Sequence, residues 1–163
     1  MSPDKLYHLD TTQLAKLIRP AGYYNIKAKR LKNFLNWLFE NYNGRLEELE
    51  NIDTDRLREQ LLSIRGIGRE TADSILLYAF NRLIFVVDAY TARIALRHQL
   101  IEPDTDYEQL RELFQSNLPE DVKLFNEYHA LLVRVGKEFC KPKPQCSNCP
   151  LEQLPHSLEL EYF

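Results

Sequence analysis

Apolar residues recur at helical spacing along almost the whole of this 163-residue chain. Between residues 25 and 42 they stand three or four positions apart, at Leu31, Phe34, Leu35, Leu38, Phe39 and Tyr42. The alternating pattern of a half-buried strand is nearly absent. One short apolar run, Leu83–Val87, lies between helical patterns and is therefore predicted to be a buried connector. We expect an all-α fold, a helical bundle or barrel of about seven short helices.

Composition indicates a globular domain, because 44% of the residues are hydrophobic and 11% are aromatic. The length suits one compact domain with a small appendage. Pro142 and Pro144 interrupt the helical pattern near the C-terminus. We therefore expect a helical domain over residues 1–136 and a cysteine-bearing loop module over residues 137–163.

No apolar run approaches the roughly 18–20 residues of a membrane span. The opening residues, MSPDKLYHLD, lack the basic and then apolar order of a secretory signal. These features predict a cytoplasmic protein without membrane association. The net charge of −3 argues against sequence-independent coating of nucleic acid. The net charge does not exclude a local nucleic-acid-binding site, since Lys27, Lys29, Arg30 and Lys32 stand close together. Ordinary solvated helix faces give the same pattern.

Two glycines, Gly66 and Gly68, flank one isoleucine in the segment SIRGIGRETAD, which joins two helical patterns. Glycines at alternate positions allow a sharp turn and leave space above the backbone amides. The next helix begins directly after them, and its N-terminal amides favour an anion such as a phosphate. The segment predicts a helix–hairpin–helix motif over residues 63–80 that holds a DNA backbone without reading sequence, although a purely structural turn has the same pattern. The candidate DNA-contacting residues are Arg65, Gly66, Ile67, Gly68, Arg69, Glu70 and Thr71.

The helix after this turn is predicted to run from Arg69 to Phe80. Its spacing predicts a buried stripe made of Ala72, Ile75, Leu76 and Ala79.

Asp88 is a carboxylate between the apolar run Leu83–Val87 and the predicted start of a helix. Such a group is partly desolvated, yet the helix N-terminus favours its ionised form. It has the chemistry to stabilise a developing cationic sugar or to orient a water molecule. The alternative is that Asp88 serves only as the N-cap of the helix.

The three cysteines of the chain, Cys140, Cys146 and Cys149, fall within ten residues with the spacing C-x5-C-x2-C. This pattern is typical of a metal site rather than of a disulfide framework.

Residues 61–80 and 85–97, LLSIRGIGRETADSILLYAF and FVVDAYTARIALR, resemble the paired signature of the helix–hairpin–helix DNA glycosylases of the endonuclease III superfamily. Residues 14–34, 126–140 and 140–151 are similar to further segments of that family, in the same order. The resemblance implies that the hairpin binds damaged double-stranded DNA, in some members with a monovalent cation, and that a damaged base is flipped into a pocket. It also implies that Asp88 assists cleavage of the N-glycosidic bond, in a nucleoid-associated repair protein.

Glu70 departs from the bifunctional members of that family, which carry a lysine at the matching position. Because a carboxylate cannot form a Schiff base, the resemblance implies a monofunctional glycosylase that acts on an alkylated or mismatched base. Two alternatives remain open: a bifunctional glycosylase and lyase, and a non-catalytic DNA-binding protein. Glu70 is also compatible with a solvated residue in the first turn of its helix.

The C-terminal tail resembles the four-cysteine loop that holds a 4Fe–4S cluster in this family. The fourth cysteine is missing, and His156 stands near its expected place. Three cysteines with His156 suit a cluster or a zinc ion, and a metal-free loop is the alternative. In the family, further helices precede the segment that matches residues 6–18, so the chain resembles an N-terminally short member.

Overall fold

The computed structural model describes residues 2–158, and within them it contains α-helices, two 3-10 turns and one π-helical turn but no strand. The α-helices are α1 (Pro3–Tyr7), α2 (Thr11–Leu17), α3 (Tyr24–Tyr42), α4 (Thr54–Ser63), α5 (Arg69–Ser74), α6 (Ala89–Arg97), α7 (Tyr107–Asn117) and α8 (Val122–Glu138). The 3-10 turns are Arg19–Ala21 and Leu46–Asn51, and the π-helical turn is Ile75–Ala79. The all-α prediction is confirmed. No helix in the described part of the chain is long and apolar enough to cross a membrane.

The chain divides into two compact units, Met1–Ala72 and Asp73–Phe163. The predicted separation of a tail over residues 137–163 concerns a different boundary and remains a prediction. Residue 1 and residues 159–163 of the predicted domains lie outside the described part of the chain.

The first unit is organised around the packing of α2 on α3. Leu14 and Ala15 of α2 form a buried cluster with Ala28 of α3. Asp10 caps α2 by accepting a hydrogen bond from the backbone N–H of Gln13, whose side chain accepts one from the N–H of Asp10 in return. This reciprocal cap satisfies two donors that would otherwise have no partner at the helix start.

Local residues set the C-terminal end of α3, the longest helix described, and the start of α4. Asn43 has a left-handed backbone with φ of 52° and ends α3, and Gly44 follows with φ of 77°. The next α-helix, α4, is capped by Asp53, whose side chain accepts hydrogen bonds from the N–H groups of Asp55 and Arg56. Asn43 and Asp53 thus mark the end of α3 and the start of α4.

The second unit has an aromatic core. Phe85 is fully buried, stacks on Phe114 with 4.9 Å between ring centroids, and meets Phe125 edge-on at 5.3 Å. Phe85 belongs to the apolar run Leu83–Val87, of which residues 84–87 are buried without strand structure. The predicted buried connector is confirmed. It leads directly into α6 and so fixes the position of Asp88.

The helix after the glycine turn differs from its prediction. It is α-helical from Arg69 to Ser74 and π-helical from Ile75 to Ala79. The buried face includes Leu77 and leaves Ala79 out. Ala72 and Leu76 are buried as expected, Ile75 is half-buried and Ala79 is exposed. The predicted stripe was therefore wrong at its C-terminal end, and Tyr78 lies within the π-turn.

Candidate functional site

The glycine turn in the first unit uses its two glycines for different purposes. Gly66 has φ of +98°, and a Cβ added there would lie 2.6 Å from the Cγ of Arg30. Position 66 therefore excludes other side chains on both backbone and packing grounds. Gly68 has no atom within 4 Å of such a Cβ, so the space above its backbone is open. The backbone conformation and the contact with Arg30 explain why position 66 is a glycine. At position 68 the glycine leaves open space, which a phosphate would need in order to approach the backbone.

The turn is anchored from beneath and exposed above. The side chain of Ile67 is buried, and its N–H donates to the carbonyl of Ile64 at 3.0 Å. Asn33 Nδ2 donates to the carbonyl of Arg65 at 2.8 Å and ties the turn to α3. Exposed residues make up the rest of the predicted DNA-contacting set: Arg65, Gly66, Gly68, Arg69, Glu70 and Thr71. The structure therefore presents six of the seven predicted residues to solvent and uses Ile67 as the anchor.

The basic cluster of α3 serves two purposes. Lys32 donates to the carbonyls of Tyr7 and Leu9, and Lys27 donates to the carbonyl of Ala21 at 2.6 Å. These two lysines fasten neighbouring loop backbone. Lys29 and Arg30 are exposed, and the stem of Arg30 lies against Gly66. Sequence reasoning missed the contacts of Arg30 and Asn33 with the turn, because nothing in their spacing connects them to it.

Asp88, in the second unit, caps α6. Its Oδ1 accepts hydrogen bonds from the backbone N–H of Thr91 at 2.7 Å and from the Thr91 hydroxyl at 2.9 Å. The interpretation of Asp88 as an N-cap is thus correct, and it occupies only one of the two carboxylate oxygens. Oδ2 lies 3.7 Å from Nε2 of His129, and both side chains are about nine-tenths buried. Asp88 is therefore a buried carboxylate with one oxygen outside the cap.

His129 of α8 and Tyr78 of the π-turn complete this cluster. The Tyr78 hydroxyl is hydrogen-bonded to His129 Nδ1, while the Tyr78 side chain stays 46% exposed. His129 Nε2 is buried and makes no hydrogen bond among the described residues. Sequence reasoning assigned His129 no role. The available signal was a histidine on the apolar face of α8, between Phe125 and Leu132, where a polar ring needs a partner.

The local environment shifts two of these titrations. Burial raises the pKa of Asp88, but His129 and the two Thr91 donors lower it by more, so the net pKa falls below its ordinary value. Burial, followed by the charge of Asp88, raises the pKa of the Tyr78 hydroxyl. Near neutral pH the cluster therefore contains an ionised carboxylate and a neutral phenol.

The cysteine loop follows α8 and is fastened to α6 by arginines. Arg97 is 4% exposed and donates to Cys140 Sγ at 3.3 Å, to the Lys141 carbonyl at 2.7 Å and to the Pro142 carbonyl at 2.9 Å. Arg93 Nε donates to the Cys140 carbonyl at 2.7 Å. These bonds hold the start of the loop through its backbone.

The predicted metal ligands line one cavity of this loop: Cys140, Cys146, Cys149 and His156. The three thiols are free, and burial followed by the neighbouring Cys149 and Cys140 raises the pKa of Cys146. His156 Nδ1 bonds to the Leu154 carbonyl at 2.8 Å. Within residues 2–158, no three cysteine, histidine or carboxylate side chains are arranged as ligands of one metal ion. The structure thus brings the four residues to one cavity but not into a coordination geometry.

A family model described as "HhH-GPD superfamily base excision DNA repair protein" matches residues 1–120. Over 151 residues the chain is 50% identical to "Putative DNA repair glycosylase MJ1434" of Methanocaldococcus jannaschii, covering 91% of this chain and 68% of that protein. It is 32% identical over 150 residues to endonuclease III of Sulfolobus acidocaldarius, covering 91% of this chain and 64% of that protein. The chain therefore spans about two thirds of the length of these relatives.

Solved structures give the same result. A non-covalent complex of endonuclease III with DNA superimposes with a TM-score of 0.73 at 25% identity, covering 94% of this chain and 68% of that one. The 3-methyladenine DNA glycosylase of H. pylori, bound to 1,N6-ethenoadenine, gives a TM-score of 0.71 at 29% identity, covering 83% and 67%. Since the family model matches most of the sequence and the helical fold agrees, the chain belongs to the HhH-GPD superfamily of base-excision repair DNA glycosylases.

Proposed function

We propose that this protein is a monofunctional DNA glycosylase in which Asp88 supports hydrolysis of the N-glycosidic bond of a damaged base. The observation that carries the proposal is the state of Asp88. The carboxylate is buried and its lowered pKa keeps it ionised, while the cap of α6 engages only Oδ1. An ionised oxygen in a partly desolvated place can stabilise positive charge that develops on a sugar, or accept a proton from water.

The reaction is a substitution by water at C1′ of the damaged nucleotide. The bond between C1′ and the base nitrogen breaks, and the electron pair leaves with the base. A bond forms between C1′ and the oxygen of water. Asp88 stabilises the cationic sugar and takes one water proton, which passes to solvent when a cationic purine leaves as a neutral base and to the base when a neutral purine leaves as an anion. The products are a free base and an abasic site, so atoms and charge balance without a cofactor.

The exposed glycine turn is proposed to hold the DNA backbone. Open space above Gly68 lets a phosphate approach the amides, and exposed Arg65 and Arg69 supply positive charge beside it. A monovalent cation held by carbonyls of the turn is part of the same proposal. Contacts of this kind position a duplex and carry no sequence information, which suits an enzyme that locates damage anywhere in a genome, in association with the nucleoid.

A damaged purine, and an alkylated one in particular, is the proposed substrate class. The structural neighbour from H. pylori is a 3-methyladenine DNA glycosylase with an ethenoadenine bound, and it is 29% identical to this chain. Alkylated purines carry a positive charge that already weakens the glycosidic bond. A single carboxylate therefore suffices where Glu70 replaces the amine of the bifunctional members.

The 4Fe–4S cluster of endonuclease III relatives does not fit the loop as it stands. The available cysteine, histidine and carboxylate side chains do not converge on one point within residues 2–158. No step of the proposed reaction passes through a metal. Iron and zinc analysis of the purified protein, together with absorbance in the visible range, tests the loop directly.

The proposal is tested by release of free base from duplexes that contain an alkylated purine or a mismatch, comparing wild type with Asp88→Asn. Asparagine keeps an N-cap oxygen but has no negative charge, so helix α6 persists while base release falls by about 10²- to 10⁴-fold. Salt-sensitive DNA binding without any base release would instead favour a non-catalytic DNA-binding protein.

A further inference from the structure

The carboxylate of Asp88 has a single oxygen to offer to a reaction. Oδ1 is occupied by two donors of Thr91, its N–H at 2.7 Å and its hydroxyl at 2.9 Å. Any role of this carboxylate therefore depends on how Oδ2 is held. Oδ2 lies 3.7 Å from His129 Nε2, slightly beyond hydrogen-bond distance.

The tautomer of His129 follows from its two neighbours. An ionised carboxylate has no proton to donate, so the ring nitrogen that faces it must carry the hydrogen. In a neutral imidazole the other nitrogen, Nδ1, is then an acceptor, and the Tyr78 hydroxyl donates to it. This assignment gives every polar atom of the cluster a suitable neighbour, including the otherwise unbonded Nε2 of His129.

Resting on the proposed function, we propose that His129 is a positioning residue that orients Oδ2 of Asp88 through its Nε2–H and that Tyr78 fixes the tautomer in which it does so. A shift of less than 1 Å would turn the 3.7 Å approach into a hydrogen bond, a small movement for an apo site. The arrangement joins three separate elements, namely the π-turn, the start of α6 and the middle of α8.

The surroundings support this role for His129. Among the described residues of the second unit, the groups that act on the Asp88 carboxylate are His129 from α8, Tyr78 from the π-turn and Thr91 from α6 itself. Of these three groups, His129 is the one whose ring nitrogen faces Oδ2, at 3.7 Å. His129 also lowers the pKa of the Asp88 carboxyl, against the opposing effect of burial.

A purely structural histidine would behave differently. If His129 only filled the core, its replacement would change stability but neither the pH profile of the reaction nor the titration of Asp88. His129→Gln would then give no better activity than His129→Leu, because the N–H donor that glutamine keeps would have no role.

The experiment combines His129→Leu, His129→Gln and Tyr78→Phe in the full chain, with His98→Leu as the matched control. His98 also commits Nδ1 to a neighbour, the Pro155 carbonyl at 2.9 Å, but acts outside this cluster. Single-turnover base release is measured across pH, and the Asp88 carboxyl is titrated by carbon-13 NMR. Nitrogen-15 NMR reports the His129 tautomer.

We expect His129→Leu to slow base release roughly tenfold and to move its acid limb to higher pH. The Asp88 titration should move in the same direction. His129→Gln keeps an N–H donor and should recover most of the rate, while Tyr78→Phe changes the tautomer signal with a smaller loss of rate. His98→Leu should resemble wild type.

An unchanged pH profile and an unchanged Asp88 titration in a folded His129→Leu variant would overturn the assignment while leaving the glycosylase proposal intact. Absence of base release by wild type would refute the glycosylase proposal instead, and the NMR titration would still decide whether His129 controls Asp88. If His129→Leu fails to fold, the titration of Asp88 in His129→Gln and in Tyr78→Phe decides whether His129 orients Asp88.

Discussion

Gly66 and Arg30 are in such close contact that the Cβ of any other residue at position 66 would lie 2.6 Å from Arg30 Cγ. The backbone of Gly66 adds a second constraint, since its φ of +98° is disfavoured for residues with a Cβ. The exposed turn is thus supported by a basic side chain of α3, whose charged end remains in solvent.

Replacing each glycine by alanine should separate the structure of the turn from its function. Gly66→Ala meets both the contact and the backbone penalty, and is expected to lower the free energy of unfolding by about 1–3 kcal/mol. Gly68→Ala has open space around its new methyl group and should change stability by less than about 0.5 kcal/mol. Urea denaturation measures both values.

The same pair of variants tests DNA binding. The methyl group of Gly68→Ala stands where a phosphate is proposed to approach, so duplex affinity should fall although stability does not. Fluorescence anisotropy at two salt concentrations reports the loss. Unchanged affinity in the stable Gly68→Ala variant would argue against contact between this turn and the DNA backbone.

Asp88 should reveal its two roles in different variants. Asp88→Asn retains an oxygen for the Thr91 donors and keeps the cap, so it loses only the stability that the charge of the carboxylate contributes, while base release is lost. Asp88→Ala removes the cap as well and should cost about 1 kcal/mol of stability. Thermal unfolding and base release, measured on both proteins, separate the cap from the chemistry. Equal activity of Asp88→Asn and wild type would refute the catalytic role.

The lowered pKa of Asp88 also sets the sign of a stability effect. A carboxyl whose pKa is lower in the folded protein contributes stability above its unfolded value, near 3.8, and loses it as the pH falls through the folded value. The stability difference between wild type and Asp88→Asn should therefore stay constant from neutral pH downward and shrink only below the ordinary value. Urea unfolding across acidic pH checks this. A difference that grows on acidification would show that the pKa of Asp88 is raised.

The sequence allowed the elements of the fold to be predicted because their signals are local. Asn43 and Asp53 mark helix boundaries through their own backbone chemistry, and the apolar spacing of α3 requires no knowledge of its neighbours. The π-turn was not predictable in this way. Helical spacing assumes a regular α-helix, so it carried no signal for a π-helical turn at Ile75–Ala79 and did not indicate that Leu77 rather than Ala79 would be buried.

Within the candidate site, the sequence predicted only the residue whose neighbours in the chain indicate its role. Asp88 stands out as a carboxylate after an apolar run, whereas His129 lies 41 positions later and looks like any helix residue. The relationship between Tyr78 and His129, separated by 51 positions, depends on tertiary packing. Chemistry that arises from such contacts has no local pattern, so it emerges only with the structure.

Glu70 provides a test of the monofunctional proposal. Wild type has no lysine at this position, so borohydride should trap no covalent complex on abasic DNA. Glu70→Lys places an amine where bifunctional relatives carry one and is expected to yield a trapped complex. An endonuclease III–DNA covalent intermediate has the same fold, with a TM-score of 0.73 at 25% identity. Trapping by wild type at the level of the variant would identify a lyase that uses another amine.

Arg97 should control how firmly the cysteine loop is held. Its buried guanidinium bonds to Cys140 Sγ and to the carbonyls of Lys141 and Pro142, and a lysine cannot span these three acceptors at once. Arg97→Lys is therefore expected to accelerate the reaction of the cysteines with a thiol reagent and to destabilise the protein by about 1–3 kcal/mol. Arg134→Lys is the matched control, because Arg134 is largely exposed and pairs with Glu138 on its own helix. Equal thiol reactivity in the two variants would mean that the loop is held by contacts other than those of Arg97.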